Sequence, residues 1–206
     1  MKGQYSLVIA GDAPEGQYRL VAGLYDDKGQ RRLPVMRLVG SGGDMVDLGK
    51  IVVAGREHSY KLRKMPFPLD ARLGDEVALQ GFSLDKTSAR PGDTLNLRLQ
   101  WQARGTTKQP HKVTVQLLDK DNHIWGQRDS VPGDGDWPTT GWVRGEVLLD
   151  DYQVAVKDQT PPGEYRLVVA MYEAASGQRL PVTVEGEPGR ALDTMILLAT
   201  VTVEGR

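Results

Sequence analysis

The segment VPGDGDWPTTGW, residues 131–142, gathers the side chains in this sequence best suited to holding a ligand. Trp137 and Trp142 lie within it, and Trp125 lies just upstream. Flat indole faces stack on the apolar faces of sugar rings, while neighbouring Asp, Thr, Gln and Arg side chains bond the hydroxyls. Trp125, Trp137 and Trp142, with Asp134 and Asp136, therefore form the candidate ligand-binding set, for a glycan or another cell-surface polymer. A structural reading competes: Trp142 plugs the end of the fold and Trp137 lies on its surface. Asp134 and Asp136 fall short of a Ca²⁺ loop, which needs more oxygen ligands and a late Glu. Asp-Gly pairs also suit turns for conformational reasons alone.

Other chemistries find less footing. His58, His111 and His123 fit no metal-ligand spacing, and no metal or cofactor is expected. GSGGD at 40–44 is Gly-rich but opens no predicted helix, so a phosphate cradle lacks its helix N-terminus. Glu146, Asp150 and Asp151 are close in sequence, yet no acidic pair has the predicted apolar cleft that glycoside hydrolysis requires. No nucleophile elbow, Walker loop or dinucleotide fingerprint appears, and catalysis is not expected. With 26 basic and 27 acidic residues and a net charge of −1, the chain offers no global field to nucleic acid or anionic lipid. Cys is absent, which removes disulfides and thiolate chemistry and leaves the compartment open. No apolar run approaches the roughly 18 residues that span a bilayer. The first residues read as a strand rather than a signal peptide, so any export signal or anchor is expected outside this chain.

The elements that must position these residues are strands. In TLNLRLQWQ, Leu95, Leu97, Leu99 and Trp101 share one face against Asn96, Arg98, Gln100 and Gln102. This parity makes Trp101 a core residue. YRLVVAMY and KVTVQLL alternate in the same way, and 24 Gly and 12 Pro punctuate the chain into short segments. From Val77 onward the segments VALQGFSL, TLNLRLQWQ, KVTVQLL, IWGQRDS, EVLLDDYQVAV, YRLVVAMYE and ATVTV predict seven strands of an all-β, immunoglobulin-like antiparallel β-sandwich.

The chain also repeats itself. Residues 5–35 align without gaps on 152–182, with identity at Tyr5, Pro14, Gly16, Tyr18, Arg19, Leu20, Val21, Tyr25, Arg32, Leu33, Pro34 and Val35, each with its partner 147 later. These are 12 matches in 31 positions, where about two are expected at roughly one match in 15. LGKIVV at 48–53 echoes LATVTV at 198–203. The phrase P-x-G-x-Y-x-L predicts a tyrosine corner at Tyr18 and again at Tyr165, each hydroxyl bonding back to the chain just upstream. Three divisions follow: residues 1–55 as the C-terminal half, three strands, of one sandwich repeat; 56–74 as a basic, Pro-containing linker; and 75–206 as a complete module. Three strands without a facing sheet leave an apolar face uncovered. A neighbouring module or a homodimer is the expected cover.

The phrases PFPLDARLGDEVALQGFSL, ARPGDTLNLRLQWQA, VTVQLLDKDN, PTTGWVRGEV, PPGEYRLVVAMYEAASGQRLPV and LLATVTV together resemble a known module. It is the extracytoplasmic β-sandwich domain at the C-terminal end of some bacterial multi-pass membrane glycosyltransferase-like proteins. Those belong to the protein O-mannosyltransferase-like group, notably in Chloroflexi-type bacteria. The resemblance covers most of 66–203 and, in its tail half, 5–53. It implies an outward-facing accessory domain, at the cell surface or in the periplasm, within a longer membrane-anchored chain. It carries over no functional residue. Two readings stand: a glycan- or surface-binding module, and a structural spacer or protein-interaction repeat with no small-molecule ligand. Exposed, coplanar Trp rings favour the first and buried ones the second.

Overall fold

Alternating side chains need two faces of different polarity, and the computed structural model supplies them as two facing sheets. It describes residues 5, 7, 9, 13–26, 31–35 and 42–205. These form two compact units, one spanning Ala13–Glu57 and a larger one containing His58–Arg206. In the smaller unit, β1 (Gly16–Ala22) pairs antiparallel with β2 (Val46–Val53). The larger unit holds β3 (Phe67–Leu73), β4 (Val77–Leu84), β5 (Ser88–Ala89), β6 (Thr94–Ala103), β7 (His111–Leu118), β8 (Ile124–Ser130), β9 (Val147–Ala155), β10 (Gly163–Glu173), β11 (Val182–Val184), β12 (Ala191–Leu192) and β13 (Met195–Val203). One sheet runs β11-β3-β4-β6-β9 and the other β12-β13-β10-β7-β8, with β5 paired to β13. The fold is an all-β sandwich. Among the described residues no helix is long and apolar enough to cross a membrane.

The core follows the parity read from the sequence. Leu95, Leu97, Leu99 and Trp101 from β6 meet Val113, Val115 and Leu117 from β7 and Leu167, Val169 and Met171 from β10 in one buried cluster. Burying such side chains contributes about 1.5–3 kcal/mol each, which makes this cluster the main source of stability.

Gln100 sits on the outward face of β6 yet is buried. Its amide accepts from the Arg63 N–H at 2.7 Å and donates to the Arg63 carbonyl at 3.0 Å. The Val147 N–H donates to the Ser59 carbonyl at 2.6 Å, and His58 lies 3.1 Å from the buried Glu146 carboxylate. These contacts correct the expected linker over 56–74. Its last part is strand β3, bonded to β4 and to β11, and the preceding residues are strapped to the sheet. Pro66 and Pro68 misled because Pro in a strand normally marks an edge or a break. Here β11 reaches only Ala71 to Leu73, so β3 at Pro68 has a neighbour on one side alone.

The smaller unit repeats the strand register, corner bond and bridge found at the end of the larger one. Gly16 faces Val53 and Leu20 faces Gly49, then the register slips so that Val21 faces Asp47. Gly163 faces Val203 and Leu167 faces Ala199, then Val168 faces Leu197. The Tyr18 hydroxyl donates to the Pro14 carbonyl at 2.7 Å, and the Tyr165 hydroxyl to the Pro161 carbonyl at 2.7 Å. Isolated bridges join Tyr25 to Arg32 and Tyr172 to Arg179. Of the three strands expected in 1–55, the first lies largely outside the described residues.

Candidate functional site

The three tryptophans do not make a platform. Trp142 is 1% exposed and belongs to the core cluster. Its indole N–H donates to the Trp137 carbonyl at 3.0 Å. Trp137 is half-buried and packs against the same core. Trp125, on β8, meets the Tyr165 ring edge-on at 6.4 Å and donates its N–H to Asp119 Oδ2 at 2.9 Å. Enclosure leaves Trp142 no face to offer a sugar, which removes it from the expected Trp125–Trp137–Trp142 set; Trp125 and Trp137 are half-buried and packed against the core. The burial of Trp142 is that of the competing structural reading, whereas Trp137, which that reading put on the surface, is half-buried; a side chain in a loop has no strand parity to reveal its direction.

The loop is instead tied down by a carboxylate. Asp150 is buried on β9 and accepts from the Tyr152 hydroxyl at 2.5 Å, the Gly133 N–H at 2.9 Å and the Trp101 indole at 3.3 Å. Burial pushes its carboxyl above the ordinary range, against the lowering effect of these donors. Burial and the neighbouring Asp150 likewise raise the Tyr152 phenol. Gly133 takes a positive φ of 67°. A Cβ there would fall 2.5 Å from the Trp137 ring, so only glycine fits.

The remaining acidic residues are engaged separately. Exposed Asp134 accepts from Arg128 at 2.6 Å, and Asp136 is exposed in the same turn. Glu146 faces His58, and Asp151 forms a two-bond pair with Arg98 at 2.6 and 2.8 Å. Glu146, Asp150 and Asp151, close in sequence, thus each bond to different partners. Among the described residues, Asp119, Asp121 and His123 bring three donor groups within 4.8 Å of one another. Asp119, however, already accepts from the N–H groups of Asp121 and His123 as well as from Trp125. The Trp125 bond above all holds its carboxyl down at about 2. These bonds cap the β7–β8 turn.

Three concavities are relevant. On the outer face of β4, β6 and β9, a groove of ≈ 380 Å³ is lined by Asp85, Asn96, Arg98, Asp151 and Gln153 among others. The alternation of β6 had placed Asn96 and Arg98 outward; what it could not show was their pairing with strands distant in sequence. A second hollow of ≈ 460 Å³ includes Glu76, Thr107, His111, Glu173 and Arg179. His111 there is buried and shifted toward the neutral form by burial, and its N–H donates to Thr139 at 3.0 Å. The third, ≈ 320 Å³ and apolar, lies in the smaller unit between Ala22, Leu24, Leu33, Pro34, Val35 and Val46.

The smaller unit is exceptional in what it leaves open. Leu24 is 71% exposed where its counterpart Met171 is 0%, and Leu48 is 59% exposed where Leu198 is 2%. Tyr18 and Val46, on the same face, are exposed as well. A single apolar residue on a surface is ordinary, but a contiguous apolar face marks an interaction surface.

No family model matches the chain, and no curated protein matches it. Among solved structures it is similar to a crystal structure of the C-terminal domain of wzt, at 9% identity and a TM-score of 0.47, over 67% of this chain and 79% of that one. The chain is therefore described by its own architecture, an all-β sandwich.

Proposed function

We propose that the chain is a non-catalytic accessory segment made of repeated β-sandwich modules, working as a structural and protein-interaction repeat. Its setting on this reading is extracytoplasmic, within a longer membrane-anchored protein of the O-mannosyltransferase-like kind. The observation that carries the reading is the smaller unit, which reproduces the corner bond, register slip and bridge of the complete module while its apolar face is uncovered. Enclosure of Trp142 and partial burial of Trp137 and Trp125 support it too. The order β4-β6-β9 against β13-β10-β7-β8 supports an immunoglobulin-like assignment.

The groove on β4, β6 and β9 favours the second reading, glycan binding through Asp85, Asn96, Arg98, Asp151 and Gln153. Its polar groups already satisfy one another: Asn96 donates to Asp85 at 2.7 Å, and Arg98 is held by Asp151. A sugar would have to replace those bonds without an aromatic floor to stack on. A glycan array probed with the full chain should therefore be blank. Binding that falls on Arg98→Ala would sink the structural reading in favour of the groove.

A further inference from the structure

The duplicated hairpin carries a design for what covers it. In the second copy, β10 is paired on one edge by β13 and on the other by β7, and its inward face packs on the sheet β11-β3-β4-β6-β9. Among the described residues, β1 pairs with β2 alone. We infer that the hairpin β1–β2 is completed by a set of strands of the same design as residues 67–155, in which the counterparts of β3, β4, β6 and β9 form the facing sheet. That set would be joined ahead of the hairpin as β9 is joined ahead of β10, with a β7-like strand adding to the open edge of β1. This rests on the repeat reading above and specifies its partner.

Several details of the first copy match that occupant. Arg166 donates to the Asp119 carbonyl at 2.8 Å and to Asn122 Oδ1 at 2.7 Å, fastening β10 to the turn after β7. Its counterpart Arg19 is mostly exposed, 3.9 Å from Asp47, and stands where the same turn would arrive. In the second copy the Pro181 carbonyl accepts from the Gly74 N–H at 2.9 Å, and Val182 pairs with Leu73 of β3. Pro34 and Val35, the counterparts, line the apolar hollow of ≈ 320 Å³ instead. The first copy thus keeps the fittings for both a β7-like and a β3-like strand.

A second hairpin is a poor substitute. Two strands about 4.8 Å apart and about eight residues long present a face of roughly 250–300 Å², against about 800 Å² per partner in a stable dimer. Nor can a second chain lend its own five-stranded sheet, because that sheet already covers β10 and β13.

The test extends the full chain with a second copy of residues 58–151 joined to Tyr5, the junction that the 147-residue offset sets. Amide hydrogen exchange is then compared in the native and extended chains. The expected result is a slowing of at least about 100-fold for the amides of β1 in the extended chain, toward the rates of β10. Equal β1 rates in the two chains would overturn the inference. So would β1 amides already protected in a native dimer, since a second copy would then be the occupant. If the extended chain is insoluble, a peptide of residues 110–123 added to the native chain reads the edge alone: protection of β1 supports the inference and no protection defeats it. A positive glycan array would remove the structural-repeat reading whatever the exchange rates show. A blank array with unprotected β1 would remove only the completion.

Discussion

A carboxylate enclosed by a core is costly unless donors face it, and Asp150 faces three. Asp150→Ala would leave the Tyr152 hydroxyl, the Trp101 indole and the Gly133 N–H without their acceptor. A loss of about 3 kcal/mol is expected in urea denaturation. The pH dependence has a definite sign. Burial raises the folded carboxyl above its unfolded value near 3.9, so the native state holds the extra proton between the two. The contribution is present in full below about 3.9 and is lost as pH rises through the folded value. Stability relative to the pH-silent Asp150→Asn should therefore fall as pH is raised from about 4. A difference that grows with pH would contradict this. Gly133→Ala meets both a positive φ and the Trp137 ring, and should lower stability by about 2 kcal/mol with a shift in Trp emission.

Two leucines with one sequence context measure what the facing sheet contributes at the level of elements. Leu167 on β10 is fully buried, whereas Leu20 on β1 is only partly so. Leu167→Ala should cost about 2–5 kcal/mol and Leu20→Ala under about 1 kcal/mol, read as the shift in denaturation midpoint. Equal costs would mean that the two strands lie in equivalent environments. The same elements show how far the sequence could be read. β4, β6, β7 and β10 were legible because period-two alternation has a direct counterpart in a half-buried strand. β3 was not, because its two prolines imitate a spacer and its burial depends on β11, more than a hundred residues away. The loop was legible only in part: Trp142 as a plug was one of two readings, but the bond by which Asp150 reaches back to Gly133 is one that no local pattern encodes.

Over the whole molecule, the four tryptophans are Trp101, Trp125, Trp137 and Trp142, all in the larger unit. Tryptophan emission therefore follows the sandwich alone, while far-ultraviolet dichroism follows both units. A thermal melt should give a dichroism change that begins below the emission midpoint, as the thinly packed unit opens first. Coincident curves would show that the two units unfold together. Mechanical load brings out a property of the strap over residues 58–66. Its backbone is bonded to Val147 and to the Gln100 side chain, upstream of the first strand of the sandwich. Tension arriving along the chain from its N-terminal side is taken first by these bonds, before β3 bears any of it. A module anchored in this way has a sacrificial fastening, which can yield and re-form while the sheet behind it stays shut.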